Sequence, residues 1–436
     1  MLAFLFVLGV LVFVHELGHF LAARRIGVRV LTFSLGFGPK LLKVRRGDTE
    51  YCISAIPLGG YVKMAGESPE DPRSGGPDEF MSKSKWERFQ VLIMGPVMNL
   101  VLAVVVLAGV LVQGAEVPAY QDQPPVIGFV APGTPAEKAG LKRGDRILTV
   151  AGDAVDTWDR LFLAIGTRAN HDVAITFLRD GRTDSVTVRP QAQTRFEIGD
   201  IGVMPLATPV IQGVVPNDPA DKAGLKAGDV VLAVGGEEMA TRAQLIDAIS
   251  RNGGKATDMR VRRQDQELHV TVTPEQRGAR GMIGISITEP TRTFKPGPWE
   301  AVTLSVQRNI EGSGLIFRTL GGLFVGQTSL KQLQGPVAIA QLSGESAQLG
   351  WLALFSLMAT LSLNLGILNL LPIPMLDGGH ILIMGLEGVA RRDFSIKVKE
   401  KMLLAGFVLI LMLMVTVIYN DLTRISWIER LMPWRN

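Results

Sequence analysis

The stretch FVHELGHFLAARR, residues 13–25, places ionisable side chains inside a segment that is otherwise apolar enough to enter a lipid bilayer. Residues 1–14 carry no charge, and the apolar run resumes after the second histidine before it ends at two arginines. An ionisable residue at membrane depth costs roughly 3 kcal/mol on insertion scales. His15, Glu16 and His19 together therefore require a compensating role.

The composition is that of a membrane protein with sizeable soluble parts. Of 436 residues, 47% are hydrophobic and 20% are charged, which predicts more than one structural unit. The net charge of +4 is small for this length, so nucleic acid is not expected as a partner. The single cysteine, Cys52, excludes an intramolecular disulfide framework. The first apolar run lacks the basic flank and cleavage site of a signal peptide and is interpreted as a retained span.

Four apolar runs predict a polytopic α-helical membrane protein. The helices are assigned to residues 1–24, 91–112, 350–380 and 403–420. Basic clusters follow the first run, precede the second and separate the third from the fourth, so the positive-inside rule places all three clusters in the cytoplasm. Both termini and the segment between the second and third helices then face outward. Three arginines in the tail conflict mildly with this orientation: Arg424, Arg430 and Arg435.

The outward segment contains an internal repeat. The sequence VAPGTPAEKAGLKRGDRILTV (130–150) recurs 84 residues later as VVPNDPADKAGLKAGDVVLAV (214–234). The repeated PAxKAGLKxGD resembles PDZ domains of bacterial envelope proteases, which implies two α+β PDZ domains at 126–205 and 206–290. DIGV and MIGI, which follow the units, resemble a carboxylate-binding loop and allow a permuted strand order. The pair is either a rigid spacer or a functional module, which binds peptides or controls access as a size filter. Its histidines, His171 and His269, are expected to be ordinary surface or strand residues.

The remaining segments are predicted from their periodicity. Residues 27–65 alternate like strands and predict a membrane-associated β-hairpin that turns at RRGD (45–48), with a cytoplasmic sheet as the alternative. Residues 66–90 are predicted to form a cytoplasmic loop and an interfacial helix, the helix over 79–89. Residues 291–349 are expected to form an outward-facing linker with helices.

HELGH fits the H-E-x-x-H pattern, which has a mechanical basis. Residues four apart share one face of a helix, so His15 and His19 can bind one Zn²⁺ while Glu16 reaches the water beside it. The alternative is a buried polar cluster that holds helices together. Zinc needs a third protein ligand, and NLLPIPMLDGGH (369–380) offers two candidates, an aspartate and a histidine.

At this point the chain resembles the site-2 protease family of intramembrane zinc metalloproteases. The resemblance rests on HExxH in the first span, GPVMN (95–99) in the second, the two PDZ-like repeats, PLGGYVKM (57–64) and NxxPxPxLDGGH. It implies one zinc per chain, a third ligand in Asp377 and a general base in Glu16. It further implies an oxyanion role for Asn369, substrate-shaping roles for Asn364, Pro372 and Pro374, and a structural role for His380.

The resemblance also implies the activity and its setting. The expected enzyme resides in the bacterial inner membrane and cuts single-span membrane proteins after a first extracytoplasmic cut. Its substrates would include an anti-sigma factor and signal-peptide remnants. A non-catalytic scaffold whose PDZ pair binds envelope partners is the alternative, and it leaves the intramembrane His, Glu and Asp residues unexplained. A metal transporter would need more intramembrane carboxylates and histidines along a path.

Overall fold

The computed structural model describes residues 2–67, 75–193, 197–278 and 280–423. The three tail arginines and most of the predicted loop before the second span lie outside these ranges. The chain divides into two compact units. The first comprises Met1–Gly114, Lys295–Gly321 and Leu333–Asn436, and the second comprises Ala115–Phe294 and Gly322–Gln332.

The elements follow one another in three blocks. The first block is α1 (Leu2–Arg25), β1 (Val30–Arg46), β2 (Thr49–Met64) and α2 (Lys85–Gln113). The second block opens with β3 (Ala115–Pro118), β4 (Ile127–Val130), α3 (Pro135–Lys138), β5 (Arg146–Val150), β6 (Asp153–Ala154), α4 (Trp158–Gly166), β7 (Val173–Arg179), β8 (Arg182–Val188), β9 (Gln191–Gln193), β10 (Ile198–Asp200) and β11 (Val203–Pro205). It continues with β12 (Val210–Val214), α5 (Pro219–Lys222), β13 (Val230–Val234), β14 (Glu237–Glu238), α6 (Arg242–Arg251), β15 (Thr257–Arg263), β16 (Gln266–Val272), β17 (Glu275–Arg277), β18 (Arg280–Met282), β19 (Ile285–Thr288) and β20 (Thr291–Phe294). The third block is α7 (Pro298–Phe324), α8 (Pro336–Leu349), α9 (Trp351–Leu370), α10 (Asp377–Val389) and α11 (Ile396–Thr423).

Among the described residues, four helices are long and apolar enough to span a bilayer: α1, α2, α9 and α11. Each contains most of one predicted apolar run. The predicted segment 350–380 is two helices, since α9 ends at Leu370 and α10 begins at Asp377. Pro372 and Pro374 lie in the break, where a proline lacks the N–H that a continuing helix would need.

The predicted interfacial helix over 79–89 is wrong. The structure has a single 3₁₀ turn, Phe80–Ser82, and residues from Lys85 onward belong to α2. The Ser84 hydroxyl accepts a hydrogen bond from the Glu87 N–H, and the Glu87 carboxylate accepts one from the Ser84 N–H. This capping box satisfies two N–H groups at the helix start and therefore begins α2 at Lys85.

The segment between α1 and α2 is more folded than a simple hairpin. β1 and β2 are joined at Gly47 and Asp48, inside the predicted turn. Residues 50–53 of β2 lie opposite 42–45 of β1 and also opposite 32–35 of β1. The two bent strands thus form a small four-segment sheet, whose first segment also pairs with residues 60–64.

The inner face of this sheet packs on α1. Phe33, Val62 and Met64 are buried together with Phe20 of α1 and Val91 of α2. The burial of these side chains fixes the sheet beside the helix that carries H-E-x-x-H. Residues 42–46 of β1, at the opposite edge of the sheet from residues 60–64, are exposed.

Each repeat of the second unit has its own core and a permuted strand order. The core of the first repeat is built around Trp158 and Phe177, and that of the second around Leu245 and Met259. In the first repeat β11 pairs with β4, and in the second β19 pairs with β12. The last strand of each repeat therefore lies beside its first strand.

One ion pair is repeated at the same 84-residue offset as the sequence. Arg179 binds the Asp145 carboxylate through two nitrogens, both at 2.6 Å, and Arg263 binds Asp229 in the same way, both at 2.7 Å. Each arginine also donates to a glycine carbonyl at the end of the short helix, Gly140 or Gly224, at 2.8 Å. The repetition of this contact shows that both copies keep one packing plan, although their sequences differ at many positions.

Candidate metal centre

The ionisable residues of α1 meet one residue from the distant C-terminal block. His15 and His19 lie one helical turn apart, and their Nε2 atoms are 3.2 Å apart. Asp377, the first residue of α10, places Oδ2 at 3.2 Å from His15 Nε2 and Oδ1 at 3.5 Å from His19 Nε2. Both histidines are buried. Among the described residues these three form the one group of His, Cys, Asp or Glu whose ligand atoms converge in this way.

The distances suit a zinc ion. Tetrahedral ligands at about 2.05 Å from the metal are separated by about 3.3 Å along each edge of the tetrahedron. The three observed separations, 3.2, 3.2 and 3.5 Å, match that edge. Two imidazoles and one carboxylate also form the donor set of catalytic zinc sites, which keep a fourth position for water.

Helix α2 forms the back wall of this cluster. The His19 Nδ1–H donates to the Val91 carbonyl at 2.8 Å, which leaves the lone pair of its other nitrogen facing the cluster. Asn99 lies 3.1 Å from His15 Nδ1 through its side-chain nitrogen. Gly95 lies between these contacts, and a Cβ at this position would be 2.3 Å from His19 Nε2. The two imidazoles therefore pack against α2 at Gly95, where the helix has no side chain.

Glu16 points away from α2 and toward the sheet. Its carboxylate lies near the backbone of Val62 in β2. A Cβ at Gly60 would lie 3.2 Å from the Glu16 Cγ and 2.8 Å from the Ser34 carbonyl oxygen, so the strand approaches the helix closely. The acid next to His15 thus faces the edge segment of the sheet.

The other residues implied by the resemblance lie outside this cluster. Asn364 and Asn369 are half-buried on α9, and their five-residue separation turns them about 140° apart around the helix. Pro372 and Pro374 lie in the break before α10, and Gly406 of α11 packs against the Pro374 carbonyl. The roles of these residues remain predictions.

The remaining histidines make no contribution to the group. His380 is exposed on α10, one turn after Asp377, and is not among the converging residues of the described chain. His269 lies 2.9 Å from Asp258 on exposed strands of the second repeat.

A bilayer-spanning helix with H-E-x-x-H, a converging aspartate and a closely packed strand define the class of intramembrane metalloproteases. The model of Peptidase family M50 matches residues 3–413. The chain therefore belongs to peptidase family M50, the site-2 proteases, and is a zinc metalloprotease.

Three relatives illustrate the extent of the similarity. A putative zinc metalloprotease of Pasteurella multocida is 34% identical over 443 residues, covering 97% of this chain and 98% of its own length. A putative zinc metalloprotease of Vibrio cholerae is 35% identical over 457 residues, with the same coverage. The regulator of sigma-E protease RseP of Escherichia coli is 34% identical over 449 residues, again covering 97% and 98%.

A PDZ domain is among the solved structures that the chain resembles in part. The PDZ domain of an SdrC-like protein from Listeria monocytogenes is 18% identical, with a TM-score of 0.18, covering 20% of this chain and 92% of that domain. A similarity of this size does not place or count PDZ domains in this chain.

Two residues at the site were missed from the sequence. Gly95 and Asn99 are the ends of GPVMN, which contributed to the resemblance without a role for either residue. Their spacing of four places them on one face of α2, and this spacing was the available signal.

Proposed function

We propose that His15, His19 and Asp377 hold one zinc ion and that the chain hydrolyses peptide bonds within transmembrane segments of single-span proteins. The observation that carries this proposal is the convergence of three ligand atoms from two distant segments, with Glu16 beside them on α1. When bound, zinc polarises the scissile carbonyl and lowers the pKa of a coordinated water toward about 7.

Glu16 takes the role of the general base in this proposal. It lies one residue after His15 on the helix and faces the space between α1 and β2. It removes a proton from the attacking water and delivers that proton to the leaving amine. The close approach of Gly60 to its Cγ restricts the side chain, so less conformational freedom is lost when substrate binds.

The sheet beside Glu16 supplies a way to present the substrate. A transmembrane helix engages its carbonyls in its own hydrogen bonds and must unwind before attack. Residues 60–64 form one edge of the sheet, and Gly60 packs against Glu16. An unwound segment can extend this sheet by strand addition next to the base. Asn369 is proposed to stabilise the oxyanion, while Asn364, Pro372 and Pro374 shape the substrate path.

The biological setting is proposed from the relatives' names and the charge pattern. The name regulator of sigma-E protease supports a substrate that restrains a sigma factor, namely a membrane-bound anti-sigma factor already trimmed outside. Signal-peptide remnants are a second substrate class of the same single-span form. The positive-inside rule supports an inner-membrane location with both termini and the second unit, as two PDZ domains, in the periplasm.

The test compares Glu16→Gln with the wild-type enzyme in detergent or proteoliposomes. Glu16→Gln should retain zinc and lose cleavage of a single-span reporter, because an amide cannot accept the proton from water. His15→Ala, His19→Ala and Asp377→Ala should lose both zinc and cleavage. Glu300→Gln, an exposed acid on α7, is the matched control and should be active. Substantial turnover by Glu16→Gln would reject the general base, and a zinc-loaded wild type that cuts no single-span reporter would favour the scaffold hypothesis.

A further inference from the structure

Asn99 is a fully buried side chain at the back of the metal centre. Its Nδ2 lies 3.1 Å from His15 Nδ1, and its Oδ1 is buried without a hydrogen-bond partner in the described part of the chain. Its backbone carbonyl accepts a hydrogen bond from the Ser362 hydroxyl of α9 at 2.7 Å. A buried amide oxygen left without a donor costs free energy, so this arrangement needs an explanation.

The two histidines are held by different kinds of partner. The partner of His19 is the Val91 carbonyl, which can only accept, so the proton of that ring is fixed on Nδ1. The partner of His15 is an amide, which can donate through nitrogen or accept through oxygen. Only in the second case does His15 carry its proton on Nδ1.

The tautomer of His15 decides whether the ring can bind a metal. If the Asn99 Nδ2–H donates to Nδ1, the His15 proton must lie on Nε2, the nitrogen that is 3.2 Å from Asp377 Oδ2, and this nitrogen then has no lone pair for a metal. A rotation of the amide by about 180° about its terminal torsion exchanges nitrogen and oxygen in nearly the same space. The oxygen that lacks a partner then accepts the Nδ1–H, and the Nε2 lone pair is free.

We infer that Asn99 is a positioning residue for His15, whose amide oxygen accepts the Nδ1–H and so keeps the Nε2 lone pair available to zinc. This inference rests on the proposed zinc site. Residues that orient a metal-binding imidazole through its second nitrogen typically change metal affinity by about 10- to 100-fold when they are removed. Asn99 differs from the Val91 carbonyl in that its amide offers both a donor and an acceptor, so only the orientation with the oxygen toward Nδ1 suits a metal ligand.

The test measures the zinc affinity of the full-length chain in detergent by competition with a chelator. Asn99→Leu removes both donor and acceptor and should weaken zinc binding about 10- to 100-fold. Asn99→Asp keeps the size and only accepts, so it should bind zinc at least as tightly as the wild type. Ser362→Ala removes the bond to the Asn99 carbonyl but leaves the amide intact, and should change the affinity by less than about 3-fold.

The outcomes separate this inference from the proposed function. Equal zinc affinity of Asn99→Leu and the wild type would overturn the inference. So would an equal loss in Asn99→Asp and Asn99→Leu, because an acceptor would then give no rescue. If Asn99→Leu fails to fold, the zinc affinity of Asn99→Asp alone tests the inference, and an affinity clearly below that of the wild type would overturn it. A wild-type chain that binds no more zinc than His15→Ala would instead reject the metal site itself.

Discussion

Asp421 in the last turn of α11 caps the N-terminus of α8 beside Gly335. One carboxylate oxygen accepts the Gly335 N–H at 3.2 Å, and the other accepts the N–H groups of Val337 and Ala338 at 3.1 and 3.0 Å. These are N–H groups that no helical carbonyl can satisfy, and a negative charge at this end also suits the helix dipole. Gly335 makes the approach feasible, since a Cβ there would lie 2.6 Å from Asp421 Oδ2.

Asp421→Ala is expected to destabilise the chain by about 1–3 kcal/mol, because it leaves three N–H groups, two of them buried, without this acceptor. The measurement is the thermal unfolding midpoint of the purified chain in detergent. Glu400→Ala changes an exposed acid of the same helix and should leave the midpoint unchanged. A midpoint for Asp421→Ala equal to that of the control would show that water or another group replaces the cap.

Gly95→Ala should lower zinc occupancy without unfolding α2. The added methyl would lie 2.3 Å from His19 Nε2 and 2.9 Å from His15 Cε1, so at least one imidazole must move. Gly109→Ala is a matched control on the same helix, where no atom lies within 4 Å of the added Cβ. The zinc content of both purified variants is the measurement. Equal zinc content would show that the two imidazoles do not lie against Gly95.

The buried Asp229 should make the second repeat sensitive to acid. Burial raises the pKa of this carboxyl, but the bonds from Arg263 and from the Lys226 N–H prevail and hold the pKa below its ordinary value. A group with a lowered folded-state pKa contributes stability that is complete above the unfolded value, about 3.9, and disappears as the pH falls through the folded value. Asp229→Asn should thus be less stable than the wild type at pH 7, by about 3 kcal/mol.

The difference between Asp229→Asn and the wild type should shrink as the pH falls below about 4, because the unfolded chain then binds a proton that the folded carboxyl still resists. It should disappear once the pH is low enough to protonate the folded carboxyl as well. Hydrogen exchange of the amides of β15, corrected for the intrinsic effect of pH, reports the stability of this repeat. Asp145→Asn alters the equivalent pair of the first repeat and should leave β15 exchange unchanged. A difference that persists undiminished into acid would contradict the ion-pair origin.

The sequence predicted features that depend on short stretches. Four apolar runs gave the bilayer-spanning helices, and the spacing of His15 and His19 placed both on one face of α1. The fold of residues 30–64 was not predicted, because the alternation of apolar residues indicates strands and does not say that residues 50–53 pair on two sides. The start of α2 is visible in the sequence as the S-x-x-E pattern of Ser84 and Glu87, whereas the apolar pattern alone places it several residues later.

The metal centre was predictable only in part for a similar reason. The convergence of Asp377 with His19 depends on how α2 and α10 pack, and no local pattern carries that information. The resemblance to a family supplied Asp377, whereas Asn99 required knowledge of which helix lies behind His15. Contacts between distant segments are set by tertiary packing, and a single sequence does not display them.

The last prediction concerns the inserted second unit and the hypothesis that it filters substrates by the size of their ectodomains. β3 and β20 pair antiparallel with Ala115 opposite Phe294, so the insertion begins and ends at neighbouring positions. A Cβ at Gly114 would lie only 3.4 Å from the Lys295 Cβ. Joining Gly114 to Lys295 directly should therefore remove residues 115–294 with little strain on the first unit.

The shortened enzyme should cut an untrimmed single-span substrate that the intact enzyme ignores, because a folded ectodomain no longer meets an obstacle. Both forms should cut a trimmed substrate, and the shortened enzyme carrying Glu16→Gln should cut neither. Cleavage is measured by the release of a tagged cytoplasmic fragment, with zinc content as the check on folding. If a zinc-loaded shortened enzyme still discriminates by ectodomain size, the filter lies in the first unit. If it no longer cuts the trimmed substrate, the second unit recruits substrates rather than excluding them.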